Sequence, residues 1–352
     1  MKPTWNLINA NLNGSPHSGY GLFILLLLLL SSSQPCLGQQ VASPVEDKPV
    51  APLVLPGKGL AQFDFFYAGE AKARNMYIVR NGKITWSYID TVGKGEISDA
   101  VLMTNGNILF AHQFGVTLIS PNKKVLWNYD APAGSETHTA QPIGSNHVVF
   151  IQNGNPAKLF VMNIKTGKTD KEFVVPVKNP TSVHGQFRHA RLTTSGTIMV
   201  AHMDMGKVSE YDINGKELWS IDVPGVWSAE PLKNGNILVA GNKNYVQEIN
   251  RKGEVVWACT RGDIPAYMVS SPQIALRLAN GNTLINEWFN QWGSKTDPNN
   301  FPVQAIEITP KKKVVWALRS WTDPINLGPS TTIQLLDNRG GISEKVHFGD
   351  IK

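Results

Sequence analysis

Asn81-Gly-Lys-Ile-Thr-Trp86-Ser-Tyr88 is the stretch that decides the fold: a tight polar turn runs into a short strand that carries a large aromatic side chain. Varied copies of this stretch return five more times along the chain. Their aromatic residues are Trp127, Phe173, Trp219, Trp257 and Trp316. The successive intervals are 41, 46, 46, 38 and 59 residues. A repeat of about 40 to 50 residues is typical of a propeller or an array of blades.

Each repeat predicts four short antiparallel strands, and the segment from residue 98 to 129 shows the order. Its predicted strands cover residues 99–103, 108–111, 116–120 and 125–129. Asn105-Gly-Asn107, between the first two strands, favours a tight hairpin turn. On the last strand, the period of two places Trp127 and Tyr129 on one face. We therefore expect the aromatic anchors to pack one sheet against the next.

The two ends of the repeat region complement each other. Residues 62–67, 76–79 and 84–88 supply only three strands before the second repeat begins, whereas residues 331–336 read as a first strand with nothing after it. Pairing the two ends would close a ring and remove the exposed sheet edge. The predicted fold is all-β: a six-bladed β-propeller over residues 60–338, with four-stranded antiparallel blades and N- and C-terminal strands paired.

The residues before the repeats predict export. The Leu-rich run at 22–30 is too short for a typical membrane span and is followed by small residues, so residues 1–38 are predicted to be a signal peptide. An uncleaved anchor is the alternative. Residues 39–59 are predicted to be a linker and residues 339–352 a tail. We expect a periplasmic or extracellular protein, without a stable membrane span once the signal is cleaved.

Composition limits the partners and the chemistry. Charged residues make up 17% of the chain, and the formal net charge is +6. Lysines in the turns before the anchors are interpreted as a solvated face, and no nucleic acid partner is expected because aromatic residues are not interleaved with them. Cleavage of the signal would leave Cys259 as the single cysteine, which predicts a buried thiol and no internal disulfide.

The turn-and-anchor stretches carry a family resemblance. Gly82 to Trp86, Gly215 to Trp219 and Gly253 to Trp257 each match a Gly-x-x-x-Trp pattern. In this the chain resembles the PQQ-like (quinoprotein-like, WD40-like) β-propeller repeat family. The resemblance covers about residues 60–338 and implies a fold rather than a function. It does not extend to quinoprotein dehydrogenases, which resemble a larger eight-bladed ring with adjacent cysteines, so neither PQQ nor calcium is expected.

The candidate site is the face that carries the between-blade and second-to-third-strand connections, because irregular loops on a rigid scaffold are where binding residues concentrate. Five of the seven histidines outside the signal map to this face. Candidates for catalysis are His138, His184, His189 and Arg188. Candidates for ligand binding are His112, His202, Asp204, Trp227, Glu230, Arg261, Trp288 and Trp292. The last two would suit stacking on a sugar or aryl ring. For any single residue, ordinary packing is the alternative.

Three functions remain open from the residues. The histidines could hold a divalent metal, although no pair shows a compact ligand spacing. One histidine could act as general base or nucleophile while Arg188 or Arg261 steadies an anion; bacterial arylsulfate sulfotransferases resemble this plan. In the third alternative the mouth binds a ligand without catalysis, either a carbohydrate or small molecule or, as a scaffold, another exported protein. We favour binding, with a sulfotransferase-, lyase- or hydrolase-like enzyme as the alternative, since no catalytic motif is complete.

Overall fold

A computed structural model describes residues 54–70, 74–93, 95–243, 245–269, 271–289, 302–322 and 325–336. Within these residues the chain forms 24 strands, arranged as six antiparallel sheets of four. The predicted all-β, six-bladed propeller is confirmed. The predicted signal peptide, the linker up to residue 53, and the tail lie outside the described residues.

The strand bounds, given from the innermost to the outermost strand, are as follows. Blade 1 contains β24 (Ser330–Leu335), β1 (Phe65–Glu70), β2 (Arg74–Arg80) and β3 (Lys83–Asp90). Blade 2 contains β4 (Ile97–Leu102), β5 (Ile108–His112), β6 (Gly115–Ile119) and β7 (Val125–Asp130). Blade 3 contains β8 (Glu136–Ile143), β9 (His147–Asn153), β10 (Lys158–Asn163) and β11 (Thr169–Val174).

The second half of the ring repeats this order. Blade 4 contains β12 (Phe187–Leu192), β13 (Ile198–His202), β14 (Lys207–Tyr211) and β15 (Glu217–Asp222). Blade 5 contains β16 (Val226–Pro231), β17 (Ile237–Gly241), β18 (Tyr245–Ile249) and β19 (Val255–Cys259). Blade 6 contains β20 (Ser271–Arg277), β21 (Thr283–Trp288), β22 (Ala305–Ile308) and β23 (Val314–Leu318). Short 3-10 turns lie at Gly59–Ala61, Val183–Gly185 and Arg261–Asp263.

Blade 1 is built from both ends of the described chain, as the sequence predicts. In the antiparallel pair of β1 with β24, Phe65 lies opposite Leu335 and Tyr67 lies opposite Ile333. The buried Tyr67 hydroxyl donates to the Gly328 carbonyl at 2.6 Å, which ties the two ends a second time. The first strand begins at Phe65 rather than at Gln62, because Gln62 ends the 3-10 turn and its side chain accepts from the Lys58 amide.

Four of the six aromatic anchors are linked to the following blade through their indole N–H groups. Trp86 Nε1 donates to the Pro121 carbonyl at 2.7 Å, and Pro121 belongs to the turn before the outermost strand of blade 2. Equivalent bonds join Trp219 to Arg251 and Trp257 to Pro310, at 3.0 and 2.8 Å, whereas Trp316 donates at 2.9 Å to Gly59 in the 3-10 turn before β1. The repeated sequence therefore encodes both partners of one contact: the turn of one blade accepts from the anchor of the blade before it.

Phe173 occupies the anchor position in blade 3 and has no N–H to donate. Its ring packs instead on Gly215 in the turn of blade 4, where an added Cβ would lie 2.6 Å from the ring. Gly215 has φ +87°, a conformation that L side chains rarely adopt, so glycine serves both the turn and the contact.

The anchors differ in burial more than the repeat predicts. Trp316 is fully buried beside Phe63, whereas Trp86, Trp219 and Trp257 are half-buried. The guanidinium groups of Arg251 and Arg277 lie over the exposed sides of Trp219 and Trp257, at 4.8 and 4.9 Å from the ring centroids. The anchors pack the blades together as expected, but cationic side chains cover several of them from solvent.

We expect the anchors to contribute unequally to stability. Trp316→Ala empties a fully buried site and should lower the free energy of unfolding by about 3–5 kcal/mol. Trp86→Phe keeps the ring but loses the bond to the Pro121 carbonyl, so it should cost about 1 kcal/mol. Urea denaturation of both variants measures the difference; equal costs would contradict this account of the anchors.

Candidate functional site

The innermost strand of each blade contains a β-bulge near its beginning. The ladder register shifts between Ile97 and Asp99, Phe187 and His189, Val226 and Ser228, and Pro272 and Ile274. In blade 3 it shifts between Thr137 and Ala140, and in blade 1 the step from Ser330 to Thr332 skips one residue. The bulged positions are Ser98, His138, Arg188, Trp227, Gln273 and Thr331. A bulge redirects a side chain out of the regular alternation, and these six positions lie on the face of the between-blade connections.

Three of these bulged residues, from three consecutive blades, contact one another. The His138 ring is fully buried, and its Nδ1 lies 2.9 Å from Ser98 Oγ and 2.9 Å from Arg188 Nη1. Glu96 Oε1 lies 3.1 Å from the same nitrogen. On the other side of the ring, Nε2 lies 2.7 Å from Glu136 Oε2.

His184 completes this arrangement from the 3-10 turn before β12. The Asn153 amide donates to the Val183 carbonyl at 3.0 Å, which holds the turn against blade 3. The His184 side chain is 53% exposed, and its Nδ1 lies 2.8 Å from Glu136 Oε2. Its ring meets the His138 ring edge-on, with centroids 5.0 Å apart. The mouth cluster, as we name it, consists of Glu96, Ser98, Glu136, His138, His184 and Arg188.

Glu136 orients both imidazole rings. Partial burial would raise the pKa of this carboxyl, but hydrogen bonds from His138, His184 and Gln113 hold the pKa well below its usual range. The ionised carboxylate only accepts hydrogen bonds, and a guanidinium only donates them. Each ring therefore places its N–H towards Glu136 and presents a lone pair to Arg188, from Nδ1 of His138 and from Nε2 of His184.

Arg188 lies where these lone pairs converge. Its Nη1 also contacts Glu96 Oε1, and its Nη2 contacts His184 Nε2. Its buried Nε has no hydrogen-bond partner among the described residues.

The structure thus brings together His138, His184 and Arg188 of the predicted catalytic residues. Sequence reasoning missed Glu96 and Ser98; a signal for them is that Glu96 and Ser98 repeat the two-residue spacing of Glu136 and His138 at the start of the neighbouring innermost strand.

His189, the fourth predicted catalytic residue, lies apart from the mouth cluster. Its Nε2 lies 3.1 Å from Glu230 Oε1, and its Nδ1 accepts from the Ala229 amide at 3.3 Å. Burial, and next the charge of Arg191, lower the pKa of His189. Because Arg188 occupies the bulge, the following residue turns towards blade 5 and the centre of the ring. His189 and Glu230 therefore belong to a buried network.

That network narrows the centre of the ring. Arg191 donates to both carboxylate oxygens of Asp99, at 2.8 and 3.1 Å, and through Nε to Glu230 at 3.3 Å. Both charged neighbours raise the pKa of Arg191 against the opposing effect of burial. The cavity left here has a volume of about 20 Å³. It has room for about one water molecule, so a ligand would have to bind above this level, at the mouth.

His112 and His202 lie between blades rather than in a shared polar site. His202 is buried against Phe187 and lies 3.0 Å from the Tyr211 hydroxyl, and His112 contacts Phe110 and lies 3.0 Å from Thr117 Oγ1. Burial lowers the pKa of both rings to about 4, with Lys207 adding to the effect at His202. The expectation that five histidines share one site is therefore not met, because two of them fill equivalent inter-blade positions.

Asp204 and Arg261 have structural partners. Asp204 accepts from the Lys178 and Asn179 amides at 2.7 and 3.2 Å, which fixes the loop before His184. Arg261 donates to the Asn242 carbonyl at 3.2 Å and lies over the Tyr245 ring. Both residues shape the mouth without reaching the mouth cluster through any described contact.

The aromatic candidates meet in a different pair from the one expected. Trp288, at the end of β21, packs against Trp227 with ring centroids 5.7 Å apart. Trp292 lies outside the described residues. Trp227 occupies the bulge of β16 in blade 5, and Arg188 occupies the equivalent bulge of β12 in blade 4. An aromatic position and a charged position therefore lie on neighbouring innermost strands.

Comparisons with known proteins support the fold and its repeat. A family model described as "Outer membrane protein assembly factor BamB" matches residues 177–286, which is less than a third of the chain. A protein of unknown function from Bacteroides caccae is 25% identical, with a TM-score of 0.66, over 77% of this chain and 98% of that one. No curated protein matches the chain.

Two further solved structures resemble the chain more weakly. One is the WD40 β-propeller domain of Doa1, with 14% identity and a TM-score of 0.46 over 63% of this chain and 71% of that one. The other is virginiamycin B lyase from Staphylococcus aureus, with 15% identity and a TM-score of 0.45 over 64% of this chain and 70% of that one. The chain thus has a β-propeller fold, and part of it, residues 177–286, resembles a PQQ-like repeat. The resemblance to sulfotransferases finds no support in these matches.

None of the described residues forms a helix long and apolar enough to cross a membrane.

The inter-blade histidines predict a pH dependence of stability. With a pKa near 4 in the folded state, His202 stays neutral while the unfolded chain, with a histidine pKa of about 6.5, takes up a proton. The free energy of unfolding should therefore fall as the pH falls through this window. By linkage, His202 alone should account for about 2 kcal/mol between pH 7 and 5. Denaturant titrations of wild type and His202→Gln measure this; an equally steep pH dependence in the variant would contradict it.

Proposed function

We propose that this propeller is an exported binding protein whose mouth takes a small polar molecule or a carbohydrate. The mouth cluster is the observation that carries the proposal. Two imidazoles, two carboxylates and a guanidinium from three blades converge on the face with the irregular connections. A few oriented polar groups at a concave site on a rigid scaffold are the usual composition of a ligand site.

The chemistry of the cluster favours an acidic ligand. His184 is half-exposed, and the Arg188 guanidinium beside it would bind a carboxylate or sulfate in a planar, two-pronged manner on giving up its present contacts with Glu96 and the two imidazoles. Trp227 follows Arg188 around the ring and offers an apolar surface on which a sugar ring can stack. A uronic or sulfated sugar combines these two requirements, with its acid on Arg188 and its ring against Trp227.

The narrow centre supports a site above the channel. At Asp99, Arg191 and Glu230 the charged groups satisfy one another and leave space for about one water molecule. A ligand that reaches the mouth cluster would therefore stop there. This suits a binding module better than a conduit through the ring.

The proposed setting is the periplasm or the cell exterior. Its support is the predicted signal peptide over residues 1–38 and the single remaining cysteine, which is buried and whose pKa is raised by burial to about 12. Such a thiol is inert in an oxidising compartment. Another exported protein is the alternative partner, since the matched family model carries the name of an assembly factor.

Binding should depend on the mouth cluster. In calorimetric titrations against a panel of uronic and sulfated sugars, Arg188→Ala and His184→Ala should each weaken the selected ligand at least tenfold, because each removes a polar contact worth about 1.4 kcal/mol or more. His147→Ala is the matched control. His147 begins β9, pairs with Asp170 of β11, and lies on the face of the propeller opposite the mouth cluster. Equal affinities of all three variants for the ligand would refute this site.

An enzyme is the second candidate, and the Glu136–His184 pair favours it. A partly buried carboxylate that orients an exposed imidazole leaves the far nitrogen, which now contacts Arg188, to accept a proton from the ligand once Arg188 turns to that ligand, as a general base does. Arg188 would then stabilise the developing negative charge. This arrangement suits lyase- or hydrolase-like proton transfer.

Glu136→Gln separates the two candidates. The variant keeps the shape of the side chain but loses the charge that orients the rings. If the protein is an enzyme, turnover of the bound ligand should fall by about 10²–10⁴ while binding changes little. If the mouth only binds, product formation should be absent from wild type and variant alike. Mass spectrometry of the ligand after long incubation gives the answer.

A further inference from the structure

We infer that Glu96, His138 and His184 form a binding site for a divalent transition-metal ion. In the ion-free protein the Arg188 guanidinium occupies the position of the ion, and an ion displaces it on binding. The inference goes beyond the proposed function and does not depend on which ligand the mouth takes. The sequence offered no compact ligand spacing, because the three residues come from blade 2, blade 3 and the turn before blade 4.

The ligand atoms already converge. One oxygen of Glu96 and one nitrogen each from His138 and His184 lie within 4.8 Å of one another. A zinc ion bound at about 2.0–2.2 Å needs its ligand atoms roughly 3.3–3.6 Å apart. The site must therefore contract by about 1 Å, and His184, which is half-exposed, is the ligand side chain with the most room to shift when its contact with Arg188 is given up.

Glu136 supplies the support that metal-bound histidines require. Such histidines nearly always donate their other N–H to a carboxylate or carbonyl group, which fixes the tautomer and the ring orientation. Glu136 Oε2 accepts from both rings, at 2.7 Å from His138 and 2.8 Å from His184. The remaining lone pairs therefore face the same point, and Glu96 Oε1 lies 3.1 Å from that nitrogen of His138.

Arg188 occupies this point as a cation of the protein itself. Its two terminal nitrogens contact all three proposed ligands, but its buried Nε has no partner among the described residues. A buried donor without a partner is unfavourable. Arg191 in the channel differs, because its Nε, Nη1 and Nη2 are all bonded to Asp99 or Glu230. Because Arg188 lies among the three proposed ligands, it is the cation that a metal ion can replace.

The donor set selects the kind of ion. Two imidazoles and one carboxylate suit Zn²⁺, Ni²⁺ and similar ions, whereas Mg²⁺ and Ca²⁺ prefer sites made of oxygen atoms. Three protein ligands leave a further coordination position, and the open side of His184 lets water or a ligand oxygen reach it. Once displaced, Arg188 would be available to an anion bound at the same mouth.

Calorimetric titration of the untagged, chelator-treated protein with ZnCl₂, NiCl₂, MgCl₂ and CaCl₂ tests the inference. We expect one Zn²⁺ or Ni²⁺ per chain and no saturable binding of the other two ions. Glu96→Gln and His184→Ala should each weaken Zn²⁺ at least tenfold, and Glu136→Gln by about 10- to 100-fold. Arg188→Met should tighten it at least tenfold, because the competing cation is gone.

Controls keep each outcome interpretable. Circular dichroism and thermal melts establish that every variant is folded, and buried His138 is left unchanged for this reason. His147→Ala should bind Zn²⁺ as wild type does, since it lies on the opposite face. Zn²⁺ binding that survives both Glu96→Gln and His184→Ala would overturn the inference. So would the absence of Zn²⁺ binding in folded wild type and Arg188→Met alike.

Discussion

The bond from an anchor indole to the following blade, which four of the six anchors make, is the contact on which much of the structure depends. It fixes the spacing between neighbouring outermost strands, as Trp86 and Trp257 show. The spacing at the rim in turn sets how closely the innermost strands approach at the centre. The mouth cluster draws on blades 2, 3 and 4, so its geometry depends on how these blades pack, which at blade 3 includes the Phe173 ring against Gly215 rather than an indole bond.

Most of the fold could be predicted from the sequence because its signals are local. Turn residues and a period of two identify each four-stranded unit, and the surplus strand at one end matches the missing strand at the other. The errors are local as well. Gln62 was assigned to a strand, but its side chain closes a 3-10 turn with Lys58. The unequal burial of the anchors could not be predicted either, because cation–aromatic contacts such as Arg251 on Trp219 are not visible in a repeat.

The candidate site was only partly predictable, and the bulges explain why. Arg188 and His189 are adjacent in sequence, yet one faces the mouth and the other a buried network with Glu230. The position of the one extra residue in the strand ladder decides which of the two side chains faces the mouth. No turn residue and no periodicity in the sequence marks that position. Glu96 escaped notice because its one signal, the two-residue spacing that Glu96 and Ser98 share with Glu136 and His138, gains a meaning only when the neighbouring blade places His138 against it.

Closing the ring with β24 has a consequence for how the chain is made. The inner edge of β1 finds its partner only when residues near Leu335 have been synthesised, although β1 itself is among the first strands to emerge. Contacts between such distant parts of a chain are slow to form. Until then the early blades expose an unpaired edge that invites association with other chains. A chain that stays unfolded until it is complete, as during transport across a membrane, does not pass through the stage in which folded early blades expose an unpaired strand edge.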